Sequence, residues 1–262
     1  MMQSAARRRV VVDLGATTLD PLALAAAVDL AELAEAEFAG LFIEDVNLFR
    51  LGALPFAAEI GMASGTWRPL ATVDVERMLR LQAERLQRAL AEAAPVLAMA
   101  WSFGVARGAP LRSLLAARAD VSVVPGAARR SRVHDGPEQV LRQAFQRRHA
   151  GGKGGHGPVA VVLGEGSVSG RTLESARALA RSRGAAMLAL ASSASGPQGK
   201  RERPDTSEMR MIHLPDLAPE TLARALGNAQ ALFWPLSEES AEGAVEIESL
   251  RLLLECPVVL VR

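Results

Sequence analysis

The sequence contains no tyrosine, and phenylalanine and tryptophan together make up only 4% of it. That is too few rings for the stacking platforms that hold single-stranded nucleic acid. A formal net charge of +1 excludes the broad basic field that gathers phosphate backbones. The one cysteine, Cys256, has no partner for an internal disulfide and supplies no thiolate cluster; between Leu254 and Pro257 it reads as a small buried apolar residue. No apolar run reaches the roughly 18 residues a bilayer requires. The basic start, residues 1–9, is followed by an apolar stretch of only Val10, Val11 and Val12, far short of a signal-peptide core. A cytoplasmic protein with neither a membrane nor a nucleic-acid partner is therefore expected. His134, His149, His156 and His213 are not spaced as metal ligands, and Ser167 and Ser169 lie outside any G-x-S-x-G elbow. Neither metal nor triad chemistry is expected, and no complete catalytic set is present.

What the chain does have is aliphatic. Of its 262 residues 49% are hydrophobic, largely alanine and leucine, and the mean hydropathy is +0.14. Residues 8–13 form a short β-branched run that closes on Asp13 before Gly15 and read as a buried parallel strand. Asp20 and Pro21 supply an N-cap and a first-turn proline for a helix over 21–38. Residues 40–43 give a second strand, and such a β-α-β unit makes the two strands parallel. A helix is predicted over 72–94, with Val75, Met78, Leu79, Leu86 and Leu90 on one side and Glu76–Arg80 and Glu84–Arg88 as supporting i,i+4 pairs. Strands over 99–105 and 121–124 flank a short helix over 111–117.

Between these elements, 46–69 is an irregular excursion carrying Leu48, Phe49, Leu51, Leu54, Phe56, Ile60 and Trp67. A segment of that length inside a domain is a lid, an interaction surface or a short helix. Self-association, or contact with a protein partner, through this segment is the expected use. Arginine dominates 127–148, and the glycine-rich stretch 151–157 reads as a linker. It is not a phosphate loop, because the G-x-x-x-x-G-K-[ST] order is absent. The pattern then restarts, with strands expected over 159–163, 187–190, 209–213, 231–234 and 257–261 and helices over 171–183, 219–226 and 242–254, around a polar stretch over 192–207.

Three stretches make the chain resemble the tandem universal stress proteins. They are the opening strand with Asp13, its helix and the run 41–51 followed by Ala53-Leu54-Pro55-Phe56; the strand and turn over 161–167, with Glu165 at the acidic position; and the closing helix and strand over 250–262, with Cys256-Pro257-Val258-Val259-Leu260-Val261. The resemblance implies two Rossmann-like, adenine nucleotide alpha hydrolase-like α/β domains in tandem with parallel sheets, over 1–150 and, shorter and degenerate, over 158–262. It also implies a nucleotide crevice lined by Asp13, Ile43 and Gly126, with Arg129 and Arg130 able to substitute charge for missing glycines. Asp13 reads equally as a turn stabiliser, and the two arginines as a solvated basic face.

The departures are informative. Nucleotide-binding members carry a glycine-rich loop after the fourth strand, whose amides approach phosphate. Here Pro125 and Pro235 stand in that position, and Glu238 and Glu239 follow the second; proline removes a donor and carboxylates repel phosphate. The first half also lacks a fifth strand of its own, and the second lacks a counterpart of helix 72–94. The expectation is a non-catalytic regulatory or binding protein acting through protein contacts, with no cofactor or at most a vestigial site for ATP or another adenine nucleotide. The alternative is an adenylate-binding switch, or a weak nucleotide hydrolase, using the first-half crevice.

Overall fold

The computed structural model describes residues 8–15, 19–61, 64–97, 99–127, 140, 141, 144, 157–163, 167–193, 209–236 and 243–262. Strand β1 (Arg9–Asp13) shows how the core is made. Val10 and Val12 pack on one side of the sheet and Val11 on the other, each about 1% exposed, because successive side chains of a strand point to opposite faces. A near-continuous aliphatic run suits a strand covered on both faces. β6 (Val121–Val124), β7 (Val159–Val162) and β11 (Val258–Val261) repeat the device with Ser122, Ala160 and Leu260 as the exceptions to valine, every residue being buried.

Helix α1 (Pro21–Leu33) follows β1, and Asp20 caps it by accepting a hydrogen bond from the Leu22 amide at 2.8 Å. β2 (Glu37–Asp45) then runs parallel to β1. The expected irregular excursion is ordered differently from its sequence pattern: α2 (Val46–Gly52) leads into a small hairpin of β3 (Ala58–Ile60) and β4 (Trp67–Pro69). Asp45, not an apolar residue, starts α2 by accepting from the Asn47 amide at 2.9 Å. Helix α3 (Thr72–Leu97) buries Val75, Leu79, Ala83, Leu86 and Leu90 as one stripe. Met78, expected on that stripe, is 49% exposed, since it sits about 100° round the helix from Leu79. Glu76 likewise turns from its expected helical partner to Arg107 on β5 (Trp101–Gly108), at 3.1 Å.

The remaining elements follow the expected order: α4 (Pro110–Ala116) and β6; then, after β7, α5 (Ser167–Arg183), β8 (Met187–Ser192), β9 (Met209–Leu214), α6 (Pro219–Ala225), β10 (Ala231–Pro235), α7 (Gly243–Leu253) and β11. α1, α3 and α5 supply the core on one face of the sheet, and α4, α6 and α7 that on the other.

The strands of both halves join in a single nine-stranded sheet, in the order β5-β2-β1-β6-β11-β10-β7-β8-β9. Outward from the junction, each half places its fourth, first, second and third strands in the same sequence. β11 is the extra member. It runs parallel to β10 and antiparallel to β6, so one strand closes both halves. The missing fifth strand of the first half is thus supplied by the second: among the described residues no strand follows β6 before β7, and the β6 edge is paired instead with Val258, Val259, Leu260 and Val261. A second joint lies on one helical face, where the Arg183 guanidinium of α5 donates from Nε and Nη2 to Asp29 of α1 at 2.8 and 2.7 Å.

Candidate functional site

After β1 the chain moves outward to β2 and β5, then returns to the other side of β1 to form β6. The carboxyl ends of β1 and β6 are therefore the topological switch point, where open α/β sheets place ligands. Asp13 ends β1 there. Its carboxylate accepts from the Gly15 amide at 2.8 Å, across a turn in which Gly15 adopts φ +58°, a left-handed conformation that suits glycine. Asp13 is only 6% exposed. Burial pushes its carboxyl above the ordinary range; the Gly15 amide and the charge of Arg251 pull it back, and Glu248 and Asp45 raise it again. Arg251 and Glu248 belong to α7, so the helix before the closing strand lies beside the first-half crevice.

The same segment closes the crevice at β6. A Cβ at Gly126 would stand 2.5 Å from the Cys256 carbonyl oxygen and 2.6 Å from that of Leu254. The glycine is needed because the backbone of 254–256 passes directly against it. The Ala127 amide donates to the Leu254 carbonyl at 2.6 Å. Burial pushes the Asp20 carboxyl above its ordinary range, and the nearby amides of Leu22, Ala23 and Gly126 pull it back. Of the two amides after β6, that of Ala127 is thus engaged by a carbonyl, and that of Gly126 lies near the Asp20 carboxylate.

Of the expected site residues, the structure brings Asp13 and Gly126 to the same switch point. Ile43 is 1% exposed and packs in the core face with Val11, Leu114 and Val124. Arg129 and Arg130 lie outside the described residues, as do most of the basic stretch and residues 151–156 of the expected linker 151–157, whose last residue, Gly157, is buried. In the second half, Pro235 ends β10 and the Leu236 amide donates to the Val261 carbonyl at 2.8 Å; Glu165, Glu238 and Glu239 are outside the described residues. Sequence reasoning missed Asp20 as a neighbour of Gly126, and missed Arg251 altogether. Asp20 was legible as a cap; no local signal places α7 over β1.

Burial pushes the Cys256 thiol up to about 12, leaving it without thiolate character at neutral pH. Among the described residues no three His, Cys, Asp or Glu side chains are placed to hold a metal ion.

A different surface is open. Leu48 and Phe49 of α2 turn inward to the core, and the Phe49 ring lies 4.3 Å beneath the Arg107 guanidinium. Arg107 also donates to Glu44 at 2.7 Å, fixing α2 and α3 against the ends of β2 and β5. Beyond this anchor the hairpin stands clear: Phe56 is 79% exposed, Trp67 72% and Ile60 52%. Ile60 and Trp67 pair across the strands, as do Glu59 and Arg68, in ion-pair contact. Between Arg68 and α3 runs a groove of about 460 Å³ lined by Asp74, Arg77, Met78, Leu81, Gln82 and Arg85.

No protein-family model and no curated protein matches the chain. Among solved structures, a universal stress protein from Archaeoglobus fulgidus DSM 4304 is similar over 97% of this chain and 96% of its own, at 11% identity and a TM-score of 0.53. A functionally unknown protein from Pseudomonas aeruginosa PAO1 is similar over 98% and 92%, at 10% identity and a TM-score of 0.47. No described helix is long and apolar enough to cross a membrane. The likeness to the archaeal protein, spanning both chains almost completely, shows that this chain has the α/β fold of a universal stress protein.

Proposed function

We propose that this chain is a stress-protein-like regulatory or binding protein that works through protein contacts and holds no nucleotide in its first-half crevice. The observation that carries the reading is the closure of the switch point by the chain itself. A phosphate brought to Gly126 would meet the carbonyl oxygens of Leu254 and Cys256 and the carboxylate of Asp20. Two like charges about 4 Å apart near a protein surface repel by roughly 4 kcal/mol, which one or two amide hydrogen bonds, each worth about 1 kcal/mol net, do not offset. The alternative, an adenylate switch or hydrolase, requires the 254–256 turn to leave and the β6–β11 joint to loosen with it. The contact surface on this reading is the 46–69 segment, whose exposed apolar side chains suit a second copy or another protein.

The test is titration of the purified chain with ATP, ADP and adenosine by calorimetry, with absorbance and mass spectrometry of the denatured protein to detect any carried nucleotide. No saturable heat up to about millimolar ligand is expected, corresponding to binding weaker than about 4 kcal/mol. A dissociation constant in the low micromolar range, or a stoichiometric carried adenylate, refutes the reading.

A further inference from the structure

We propose that the groove between the β3–β4 hairpin and α3 docks an acidic amphipathic helix of a partner protein. The inference rests on the reading that this chain acts by protein contacts, and it names the chemistry of the contact. On α3, Asp74, Arg77, Met78, Leu81 and Arg85 recur at helical spacing and line the groove. They form a second stripe, separate from the buried one, about three turns or roughly 16 Å long. Its centre is apolar: Met78 and Leu81 are 49% and 46% exposed and pack on nothing that closes over them. Methionine beside leucine makes an adaptable floor for apolar side chains, and a helix presenting residues at i, i+3 or i+4 and i+7 is the segment whose repeat matches three turns of α3.

The rim decides the sign of the partner. Arg68 stands on the hairpin side and Arg77 and Arg85 on the helix side. Arg68 is in contact with Glu59, and Arg77 is 3.5 Å from Asp74. Three arginines against these two carboxylates leave one positive charge, carried by Arg85, which pairs with no carboxylate among the described residues. Each guanidinium also has five N–H donors, so a single carboxylate partner leaves the largely exposed Arg68 and Arg77 with donors to give. Carboxylates flanking an apolar stripe satisfy both features at once. A nucleic acid would meet Asp74 and Glu59 and an apolar floor without a stacking ring, which disfavours it.

The probe is a synthetic fluorescein-labelled peptide of roughly 18 residues, a length at which an isolated helix becomes viable, with a leucine stripe flanked by glutamates. Its counterpart keeps the leucines and replaces every glutamate with lysine. Fluorescence anisotropy against the full chain should show saturable binding of the acidic peptide only. Arg85→Glu and Leu81→Glu, both at exposed positions and checked for unchanged circular dichroism, should each weaken it at least about tenfold. Equal binding of the lysine peptide overturns the proposal, as does an acidic peptide that fails to bind or binds both variants as it binds the wild type. Light scattering supplies the remaining outcome. A dimer that Leu81→Glu dissociates and the acidic peptide leaves intact assigns the groove to a second copy, which overturns this inference while the protein-contact reading survives. Tight ATP binding would instead refute that reading and leave the peptide result to stand or fall alone.

Discussion

Replacing Gly126 with alanine tests whether the switch point is closed by backbone contact. The added methyl would lie 2.5 and 2.6 Å from two carbonyl oxygens and 2.9 Å from the Cys256 carbonyl carbon. None of these is the end of a flexible side chain. Relief requires moving the 254–256 turn, which is held by the Ala127–Leu254 hydrogen bond at 2.6 Å and by the pairing of β11 that begins at Val258. Overpacking of this kind costs about 1–3 kcal/mol, and weakening the hydrogen bond adds about 1 kcal/mol, so a loss of roughly 2–4 kcal/mol is expected. The control is Gly170→Ala in α5, where a Cβ meets nothing within 4 Å. Alanine there should stabilise by about 0.5–1 kcal/mol through helix propensity. Urea denaturation followed by tryptophan fluorescence is well suited, because Trp101 lies in a strand of the first half and Trp234 in one of the second. The midpoint should fall for Gly126→Ala at an unchanged slope. If Gly126→Ala costs less than about 0.5 kcal/mol, a value typical of an unconstrained surface site, the segment does not press on β6 and the closure argument fails.

Two further outcomes follow from named contacts. Arg183→Met breaks the joint between α5 and α1; with side chains only 11% and 20% exposed for Arg183 and Asp29, it should cost about 1–3 kcal/mol, somewhat less than a fully buried pair. The double variant Asp29→Asn, Arg183→Met should recover part of that loss in the same melts, and a single variant as stable as the wild type would remove this joint from the account. Asp13 titrates with a native pKa raised above 3.8, chiefly by burial, so the fold favours its protonated form. Its contribution is then most favourable below about pH 4 and is lost as the pH rises through the native value. Asp13→Asn keeps an oxygen for the Gly15 amide and removes the buried charge. It should therefore flatten stability across that window and match or exceed the wild type at pH 7; clear destabilisation at pH 7 alone would show that the carboxylate is held for its charge.

The inner strands were legible because burial on both faces favours short runs of small and aliphatic residues, mostly valine. Residues 121–124 give β6 without adjustment, and Asp20 with Pro21 gives the start of α1. The hairpin was not, since β3 and β4 are three residues each, largely exposed and without alternation to betray them. Met78 was misplaced for a related reason: α3 carries two apolar stripes, and spacing alone does not say which one faces the core. Asp13 and Gly126 could be placed near the switch point from the sequence, one at the end of a strand and one just after another. The reason for the glycine was not legible, because the atoms that exclude a side chain are carbonyls of residues 254 and 256, and backbone oxygens leave no mark in a sequence.

Sharing one closing strand has a consequence for where binding can occur. A strand that ends its own half and also pairs antiparallel with β6 must bring its preceding turn to the carboxyl end of β6, since antiparallel pairing sets the start of one strand beside the end of the other. Val258 lies opposite Val124 for this reason. The turn before it then falls on Gly126 and Ala127, and the crevice is filled by the geometry that joins the halves. A ligand at this switch point and a shared β11 therefore compete for the space at Gly126 and for the Ala127 amide. The α2–hairpin–α3 surface is under no such constraint. It is anchored by Arg107 to Glu44 and Glu76 at the far edge of the sheet, four strands from the joint. Its exposed side chains lie away from the β6–β11 pairing, so the contact surface proposed there can vary without loss of the fold.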